Sequence, residues 1–400
     1  MLTGKTIVLG VTGSIAAYKS ASLASALVKE HADVHVIMTP NAVNFINPIT
    51  FETLTHNKCI TDTFDRNFEF DVKHISLAKK ADLFMIAPAT ANIIGKLASG
   101  IADDMLSTTV MAAKCPVVLA PAMNTAMYDN SIVQENMNKL RMHGYTVIEP
   151  SDGYLACGDT GRGKMPEPEY LKDVILHEIS HEKDLAGRRV LVTAGPTQEA
   201  LDPVRFLSNH SSGKMGYAIA SQAARRGAEV TLVSGRTSLD CPYGVTRIDV
   251  ASAADMFREV TSHAEEADII VMAAAVADYR PASVSDNKIK KKDGAMSIEL
   301  ERTSDIIGTL GAGRRDDQFL CGFSMETENL IENSRSKLER KNLDMIVANN
   351  LKVEGAGFRG DTNVAVLIKK SQVKELQLMS KIELADVILD EILCEITNHA

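Results

Sequence analysis

The sequence predicts an α/β protein that contains two doubly wound, parallel-sheet (Rossmann-like) domains. Short apolar runs rich in β-branched residues alternate along the chain with segments of helical periodicity, as in βαβ units. The alternation is interrupted by a glycine-rich stretch at residues 151–168 and starts again at residue 189. A length of 400 residues suits two or three domains of about 150 residues each. We therefore predict one domain at residues 1–186 and a second at residues 187–400.

The first half contains four predicted strands joined by helical segments. The strands cover Lys5–Val11, Val34–Met38, Leu83–Ala87 and Val117–Ala120. Helical patterns cover Ile15–Glu30, Asn92–Ala113, Met127–His143 and Glu169–Glu182. These helices supply the crossover connections that a parallel sheet requires.

The second half repeats this alternation of strands and helices. Its predicted strands are Arg189–Thr193, Glu229–Ser234, Asp268–Ala273, Leu320–Phe323 and Met345–Ala348. In open α/β sheets, ligands bind at the carboxyl ends of the strands. The turns that follow the strands are therefore where functional residues are expected in both halves.

The composition limits the classes of protein and partner. The chain is 45% hydrophobic and 24% charged, which is ordinary for a globular protein. Its net charge of -9 argues against nucleic acid and anionic membranes as partners, because both attract basic surfaces. We expect no signal peptide, because the apolar stretch at Met1–Gly10 has no basic flank and no cleavage site. We expect no membrane span, since no run of about 18 apolar residues occurs. The six cysteines form no CxxC pair, so free thiols in a reducing compartment, the cytoplasm, are expected.

Three familiar motifs do not support the functions that they usually indicate. The Gly213-Lys214 pair is not a P-loop, because Ser208 stands where that motif requires glycine. The first turn, GVTGSIA, lacks the GxGxxG spacing, which disfavours a dinucleotide site. His177 and His181 match the zinc motif HExxH, but the segment is polar and has no evident third ligand. We therefore interpret that spacing as chance.

Polar turns follow the first three strands of the first half. Free backbone N–H groups at the start of a helix attract phosphate, and hydroxyl groups add further donors. Three such turns suit a monophosphate nucleotide such as FMN, and helix capping alone is the alternative interpretation. The residues of these turns are Gly13, Ser14, Thr39, Ala89, Thr90, Ala91 and Asn92.

Three other residues of the first half have side chains suited to chemistry. Asn124 follows a buried strand, and its amide can hydrogen-bond a carboxylate without adding charge. His74 is a candidate base near neutral pH, although a lone histidine is more often an ordinary surface or core residue. Cys157 lies in the glycine-rich segment Gly153–Met165, which has the composition of a mobile lid. Its thiol is a candidate acid or nucleophile, and an inert free cysteine is the alternative.

The second half combines a glycine-containing turn with cationic residues. Ser211, Ser212 and Gly213 can offer N–H and hydroxyl groups to a triphosphate. Asp278 follows a buried strand and is a candidate for contact with Mg²⁺ or with a ribose. A basic run comes next in an otherwise acidic chain, and a solvated loop is its alternative interpretation. The run consists of Lys288, Lys290, Lys291 and Lys292.

Several segments together resemble known enzyme families. The first half resembles the homo-oligomeric flavin-containing cysteine decarboxylases in GSIAAYK (13–19), PAMNTAMY (121–128) and ACGDTGRGKM (156–165). The second half resembles CTP-dependent phosphopantothenate–cysteine ligases in NHSSGKMG (209–216), AAVADYRP (274–281), KIKK (288–291) and KNLDMIVAN (341–349). The whole chain resembles the bacterial family that fuses this ligase to phosphopantothenoylcysteine decarboxylase in coenzyme A biosynthesis. The resemblance implies a flavodoxin-like first domain and a ribokinase- or Rossmann-like second domain.

The resemblance implies the roles of the decarboxylase residues. His74 is the base, Asn124 binds the substrate carboxylate, and Cys157 is the proton donor. FMN takes two electrons from the thiol of 4'-phosphopantothenoylcysteine, carbon dioxide leaves, and the electrons then return. Tyr128 stands where tryptophan is common in the family, and Lys164 where arginine is frequent; both departures are mild.

The resemblance implies a ligase reaction in two steps. The carboxylate of 4'-phosphopantothenate attacks the α-phosphate of CTP, and the amine of L-cysteine then displaces CMP to give 4'-phosphopantothenoylcysteine. Lys288 would stabilise charge in the first step, Asn209 would hold the acyl-cytidylate, and Arg205 would contact the substrate phosphate. Mg²⁺ would lie near Asp278. The residues that would contact CTP are Asp278, Lys288, Ser304, Asp305, Ile306, Ile307, Phe323, Lys337 and Lys341.

The resemblance also implies a homo-oligomer. Trimeric contacts of the first domain combined with dimeric contacts of the second predict a dodecamer. Two other functions are weighed against the enzyme: a flavin-binding protein with a regulatory or scaffolding role, and an NAD-dependent dehydrogenase with two domains. The presence of His74, Asn124 and Cys157 argues against the first, and the missing GxGxxG argues against the second.

Overall fold

The chain divides into two units, which are described separately. The computed structural model of the chain describes residues 1–63, 73–154, 158, 160–290, 296–326, 329–350 and 360–399. Unit 1 is Met1–His181 and unit 2 is Glu182–Ala400. The division falls close to residue 186, where the sequence predicts the boundary between the domains.

In unit 1, parallel strands alternate with helices along the chain. Its strands are β1 (Thr6–Val11), β2 (Asp33–Met38), β3 (Leu83–Ala89), β4 (Val117–Pro121), β5 (Thr146–Val147), β6 (Ser151–Tyr154) and β7 (Thr160–Lys164). Its helices are α1 (Ala17–Lys29), α2 (Pro48–Thr55), α3 (Lys73–Lys80), α4 (Ala91–Ser99), α5 (Met105–Met111), α6 (Thr125–Tyr128), α7 (Ser131–Met142) and α8 (Pro168–Ile179).

The main sheet of unit 1 has five parallel strands in the order β2-β1-β3-β4-β5. This order is typical of flavodoxin-like folds. Every residue of β1 and β3 is buried, as expected where helices cover both faces of a parallel sheet. Val8 and Phe84 belong to a core that α3, α4, α5 and α7 complete, whereas α1 packs against α8 and against β1 and β3.

Two long helices predicted in unit 1 are each divided into two. Gly100 ends α4 in the left-handed conformation with φ of 71°, and Asp104 then starts α5 with a capping box. The helix predicted at Met127–His143 consists of α6 and α7, and Asn130 caps the second of them. Apolar periodicity continues across these breaks, so it does not reveal them.

The segment predicted as a glycine-rich loop at residues 151–168 contains a β-hairpin. Its strands, β6 and β7, pair in antiparallel orientation. The pattern hides these strands because glycine is depleted in ordinary strands. Residues 155–157 and 159, between the two strands, lie outside the described residues.

The HExxH segment lies at the end of α8. The helix ends at Ile179, and His181 lies beyond its last residue. The imidazoles of His177 and His181 therefore do not share a helix face. Among the described residues, no group of three His, Cys, Asp or Glu side chains is placed to hold a metal ion.

Unit 2 contains the remaining strands and helices. Its strands are β8 (Arg189–Ala194), β9 (Gln198–Ala200), β10 (Phe206–Ser208), β11 (Glu229–Ser234), β12 (Val245–Asp249), β13 (Ile269–Met272), β14 (Tyr279–Pro281), β15 (Leu300–Arg302), β16 (Phe319–Glu326), β17 (Met345–Asn350), β18 (Thr362–Asn363), β19 (Ala365–Lys369), β20 (Val373–Glu375) and β21 (Met379–Ser380). Its helices are α9 (Lys214–Arg225), α10 (Ala253–Ala264), α11 (Ile306–Gly313), α12 (Leu330–Arg340) and α13 (Lys381–His399).

The main sheet of unit 2 has eight strands in the order β12-β11-β8-β13-β16-β17-β19-β20. The first six are parallel, and the sequence predicts five of them but not β12. The strands β19 and β20 add an antiparallel edge that the sequence also does not predict. One face packs against α9 and α13, and the other packs against α10, α11 and α12. No helix in the described ranges is long and apolar enough to cross a bilayer, including α13 with its 19 residues.

The packing of α9 on β8 depends on Gly216. A Cβ added there would lie 2.6 Å from the Cβ of Ala194 and 2.7 Å from the carbonyl oxygen of Thr193. We expect Gly216→Ala to lower the free energy of unfolding of unit 2 by about 1–3 kcal/mol, because the helix must move away from the strand. Gly313→Ala is the matched control, since a Cβ there meets open space. Urea unfolding followed by circular dichroism compares them, and equal stability would contradict this account.

Candidate active sites

A cavity of about 420 Å³ lies at the carboxyl ends of β1, β2 and β3. We call it the strand-end cavity. It contains five of the seven residues predicted to bind FMN, which come from three separate turns. Its lining residues are Thr12, Gly13, Thr39, Pro40, Asn41, Thr90, Ala91, Asn92, Ile93, Lys96, Asp103, Asp104 and Met127.

Thr12 joins the ends of β1 and β3 at this cavity. Its hydroxyl group donates to the carbonyl oxygen of Pro88 at 2.7 Å and accepts from the backbone N–H of Thr90 at 3.2 Å. The hydroxyl oxygen of Thr90 in turn accepts from the N–H of Ile93 at 3.5 Å and caps α4. Sequence reasoning missed Thr12, although its place directly after a buried strand was the available signal.

Gly13 allows the turns after β1 and β2 to approach each other. A Cβ added at Gly13 would lie 2.7 Å from the Cβ of Asn41. At the rim of the same cavity, the ammonium group of Lys96 pairs with Asp103 at 2.6 Å and with Asp104 at 2.8 Å. The cavity therefore combines backbone groups, hydroxyl groups and one neutralised cation.

A second cavity, of about 340 Å³, lies against the β6–β7 hairpin, and we call it the hairpin cavity. The backbone N–H of Met123 donates to the carbonyl oxygen of Gly163 at 3.0 Å. A Cβ at Gly163 would lie 2.2 Å from the carbonyl oxygen of Met123, so only glycine permits this contact. The lining residues are Ser14, Ile15, Ala16, Tyr18, Lys19, Ala122, Met123, Asn124, Tyr154, Gly163, Lys164 and Met165.

Two predicted residues, Ser14 and Asn124, line the hairpin cavity. The side-chain oxygen of Asn124 accepts from the backbone N–H of Ala126 at 2.8 Å and caps α6.

Sequence reasoning missed Lys19, which is 5% exposed in the first turn of α1. Its ammonium group donates to Glu167 at 2.8 Å, and this hydrogen bond lowers the pKa of the Glu167 carboxyl.

Three predicted residues of unit 1 line neither cavity as the described residues outline them. Ala89 is buried within β3, and His74 is a half-buried residue at the start of α3. Cys157 lies outside the described residues, so its role stays a prediction. Burial raises the pKa of Cys59 to about 12 and also raises that of Cys321, so these two thiols are protonated at neutral pH.

Unit 2 contains a cavity of about 550 Å³ between the carboxyl end of β13, the β14–β15 hairpin, α11 and α12. We call it the cationic cavity. Its wall includes eight predicted CTP contacts that come from distant parts of the sequence. The lining residues are Met272, Ala274, Val276, Ala277, Asp278, Tyr279, Arg302, Thr303, Ser304, Asp305, Ile306, Ile307, Phe323, Lys337, Arg340 and Lys341.

Helix caps orient the charged groups of the cationic cavity. Asp305 accepts from the backbone N–H of Gly308 at 3.0 Å, which caps α11, and it also pairs with the ammonium group of Lys341. The ammonium group of Lys337 donates to the carbonyl oxygen of Phe323 at 2.9 Å. Lys337 and Lys341 are four residues apart at the end of α12, so they point toward the same side.

The cationic cavity carries four cationic side chains and two carboxylates. Sequence reasoning missed two of the cations, Arg302 and Arg340. The spacing of Arg340, three residues after Lys337, was an available signal for its position on the same helix face. An excess of positive charge in a chain of net charge -9 points to an anionic ligand.

The other predicted ligase residues lie outside the wall of the cationic cavity as the described residues outline it. The amide of Asn209 adjoins it, because it donates to the carbonyl oxygens of Ala275 at 3.1 Å and Val276 at 3.4 Å. The guanidinium group of Arg205 pairs with Asp202 at 2.6 Å. The remaining residues are Ser211, Ser212, Gly213 and Lys288.

Comparisons with known proteins give a consistent result. The Flavoprotein family matches residues 1–180, and the DNA/pantothenate metabolism flavoprotein C-terminal domain matches residues 185–395. The coenzyme A biosynthesis bifunctional protein CoaBC of Bacillus subtilis (strain 168) is 49% identical over 396 residues, which cover 98% of this chain and 97% of that protein. CoaBC of Haemophilus influenzae is 45% identical over 392 residues, or 98% of each chain. A crystal structure of the C-terminal domain of a CoaBC covers 54% of this chain and 100% of its own, with 45% identity and a TM-score of 0.47.

The fold and the matching families define the class of protein as a flavoprotein whose flavodoxin-like domain is joined to a second α/β domain. The chain belongs to the family of bifunctional coenzyme A biosynthesis proteins. It is a bifunctional enzyme in which unit 1 fits the phosphopantothenoylcysteine decarboxylase and unit 2 fits the phosphopantothenate–cysteine ligase. The predictions of fold class, family and function are thereby confirmed.

Flavin retention should depend on the absence of a side chain at Gly13. We expect Gly13→Ala to weaken flavin binding at least tenfold, about 1.4 kcal/mol, because the added methyl group pushes the turn at Asn41 away. Gly95→Ala in α4 is the control, since the nearest atom to its Cβ would be 3.9 Å away. Visible absorbance of the purified proteins during dialysis measures retention. Equal retention by the two variants would show that Gly13 does not shape the flavin site.

Proposed function

We propose that unit 2 ligates 4'-phosphopantothenate to L-cysteine with CTP, and that unit 1 then decarboxylates the 4'-phosphopantothenoylcysteine with FMN. The cationic cavity is the main support for this assignment. It combines eight predicted nucleotide contacts with four cations in an acidic chain. Its volume and charge suit a nucleoside triphosphate.

In the first ligase step, a carboxylate oxygen of 4'-phosphopantothenate attacks the α-phosphorus of CTP. The bond from that phosphorus to the bridging oxygen breaks, and pyrophosphate leaves. Lys337 and Lys341 would hold phosphate oxygens, because both line the cavity from the end of α12. Positive groups fixed beside the phosphates stabilise the charge of the transition state. Lys288 would act on this same step.

In the second ligase step, the amine of L-cysteine attacks the acyl carbon. An amide bond forms, and CMP leaves with the electrons of the acyl–phosphate bond. Asn209 would hold the acyl-cytidylate, since its amide is fixed by the carbonyl oxygens of Ala275 and Val276 at the cavity wall. Arg205 is the proposed contact for the phosphate of the substrate.

Asp278 is the proposed contact for Mg²⁺. The two carboxylates of the cavity belong to Asp278 and Asp305, and Asp305 is engaged by Lys341 and by the cap of α11. Mg²⁺ is commonly bound by one or two carboxylates together with substrate phosphates. Asp278 therefore fits a metal ion that arrives with CTP.

The strand-end cavity fits the phosphate of FMN. Gly13 permits close approach, and α4 begins at the wall, where the N–H groups of its first turn would bind an anion. Bound flavin supplies reversible two-electron oxidation of a thiol. In the same unit, the amide of Asn124 would bind the substrate carboxylate. His74 as the base and Cys157 as the proton donor complete the proposed set.

Exposed apolar side chains support the predicted oligomer. Contiguous patches of apolar side chains on a surface commonly mark contacts between proteins, whereas single exposed ones are ordinary. In unit 1 they include Ile15, Tyr18, Phe45, Ile49 and Ile132. In unit 2 they include Val204, Phe206, Tyr279 and Leu300, on or beside the β9–β10 and β14–β15 hairpins. We keep the dodecamer, with trimeric contacts of unit 1 and dimeric contacts of unit 2, as a proposal together with the cytoplasmic location.

One incubation tests the proposed function. Purified protein is mixed with 4'-phosphopantothenate, CTP, L-cysteine and Mg²⁺, and the products are measured by mass spectrometry. We expect equal amounts of CMP, pyrophosphate and 4'-phosphopantetheine. Omission of L-cysteine should stop CMP release. No release of CMP at all would argue for the scaffolding alternative. Release of CMP without 4'-phosphopantothenate would contradict the proposed substrate.

The two activities should separate on mutation of the cationic cavity. We expect Lys341→Gln to raise the KM for CTP about tenfold or more, because a charged hydrogen bond to a phosphate contributes about 1.5–3 kcal/mol. Decarboxylation of added 4'-phosphopantothenoylcysteine should stay unchanged. Arg335→Gln on the same helix is the control, since Arg335 is exposed and does not line the cavity. A loss of both activities in Lys341→Gln would contradict the division of function between the units.

A further inference from the structure

The segment Ser283–Lys290 contains Lys288 and has little apolar anchoring. Val284 and Lys288 are exposed, and Ile289 is half-buried. The position of this segment therefore depends on polar contacts. Three such contacts come from residues 201–205, the turn that joins β9 to β10.

Asp202 is the centre of these contacts. Its side chain has no exposed surface, and its carboxylate accepts five hydrogen bonds. One oxygen accepts from the backbone N–H groups of Val204 at 2.8 Å and Arg205 at 2.9 Å. The other accepts from the Arg205 guanidinium, at 2.9 Å for Nε and 2.6 Å for Nη2, and from the backbone N–H of Ile289 at 3.1 Å. These donors, the Arg205 guanidinium above all, hold the pKa of Asp202 well below its usual range.

Arg205 binds the same backbone from the other side. Its Nη2 donates to the carbonyl oxygen of Ile289 at 2.7 Å. The ion pair of Asp202 and Arg205 therefore holds both the N–H and the C=O group of Ile289. A further hydrogen bond joins the backbone N–H of Ser285 to the carbonyl oxygen of Leu201 at 3.1 Å.

A purely local role does not account for this arrangement. An Asp side chain that stabilises its own turn needs only the nearby backbone N–H groups, here those of Val204 and Arg205. The hydrogen bonds to Ile289 add nothing to that turn. They fix the residue that directly follows Lys288 and lies 87 positions from Asp202.

We propose that Asp202 is a positioning residue of the ligase, which holds Lys288 in place through Arg205 and the backbone of Ile289. This inference rests on the proposed function, because it assumes that Lys288 acts on the transfer from CTP. It assigns to Arg205 a structural contact besides its proposed contact with the substrate phosphate. Asp202 and Arg205 each contact the backbone of Ile289, so these two contacts are independent of the side chain at position 289.

Asp202→Asn tests the proposal through the coupling of two mutations. The amide keeps the size of the side chain but places a donor against the donors of Arg205 and Ile289. We expect the kcat of the ligase to fall about ten- to hundredfold, because misplacement of a reacting group has effects of that size. The KM for CTP and the decarboxylation should change little.

The double variant Asp202→Asn, Lys288→Gln then separates the two explanations of that loss. If Asp202 acts through Lys288, its mutation causes no further loss in the Lys288→Gln background. Losses that multiply would overturn the proposal, and so would a Lys288→Gln variant with normal ligase activity.

Trypsin cleavage after Lys288 and Lys290 reports the same contact without any activity. We expect Asp202→Asn and Arg205→Lys to be cleaved there several times faster than the unmodified chain. The first variant loses the carboxylate that accepts from the N–H of Ile289, and the second loses the guanidinium group that donates to its carbonyl oxygen. Asp255→Asn is the control, since it removes a carboxylate from the capping box of α10 in the same unit. Peptide mass spectrometry identifies the cleaved bonds. Unchanged cleavage in both variants would overturn the proposal.

The two assays also distinguish failure of the inference from failure of the proposed function. If the unmodified chain releases no CMP, the ligase assignment fails, and the cleavage rates still show whether the Asp202 contact holds the segment. If Asp202→Asn does not fold, judged by its thermal unfolding, Arg205→Lys decides the question by the same cleavage assay.

Discussion

Parallel strand pairing is the constraint on which both units depend. In a parallel sheet, the carboxyl ends of all strands meet at one edge, whatever their separation in the sequence. Pairing of β1 with β2 places Val11 beside Met38, and pairing of β1 with β3 places Gly10 beside Ile86. The backbone hydrogen bonds that satisfy the buried strands therefore also bring together the turns that form the strand-end cavity. In unit 2, the pairing of β13 with β8 and β16 has the same consequence.

Buried polar side chains hold those turns in position once the strands have brought them close. Thr12 reaches a carbonyl group 76 positions away, and Asp202 reaches an N–H group 87 positions away. Both side chains are almost fully buried. A buried polar group that loses its partner costs about 1–3 kcal/mol, so each contact opposes movement of the turn that it holds. The sheet provides the approximate arrangement, and these side chains fix the loops that carry the chemistry.

The two units differ in how they suit their ligands. The cavities of unit 1 offer backbone N–H groups, hydroxyl groups and an amide, and the cations that line them, Lys19, Lys96 and Lys164, are all paired with carboxylates. The cationic cavity of unit 2 presents a net excess of positive side chains instead. A cofactor that stays bound is held well by fixed backbone donors. A polyanionic substrate that must enter and leave is attracted by an excess of positive side chains, which raises its local concentration.

Local patterns in the sequence are enough to predict several features of the fold. Apolar periodicity identified the principal strands, and glycine or threonine after a strand identified turns such as those at Gly13 and Thr90. Periodicity did not reveal the end of α4 at Gly100, because the apolar pattern continues past it. The β6–β7 hairpin was also missed, since its glycines are needed for contact with another turn and not for its own strands.

Which distant side chains meet depends on how each unit packs, and no local pattern predicts it. The sequence places Arg335 and Arg340 on one helix, but only the packing of α12 shows that the face of Arg340 lines the cationic cavity. From the sequence, Asp202 is an ordinary turn residue. Its contact with the backbone of Ile289 is visible only in the structure. Local pattern depends on neighbours within a few positions, whereas these contacts join segments far apart in the chain. Such partners are chosen by the packing of the whole unit, which no short stretch of sequence contains.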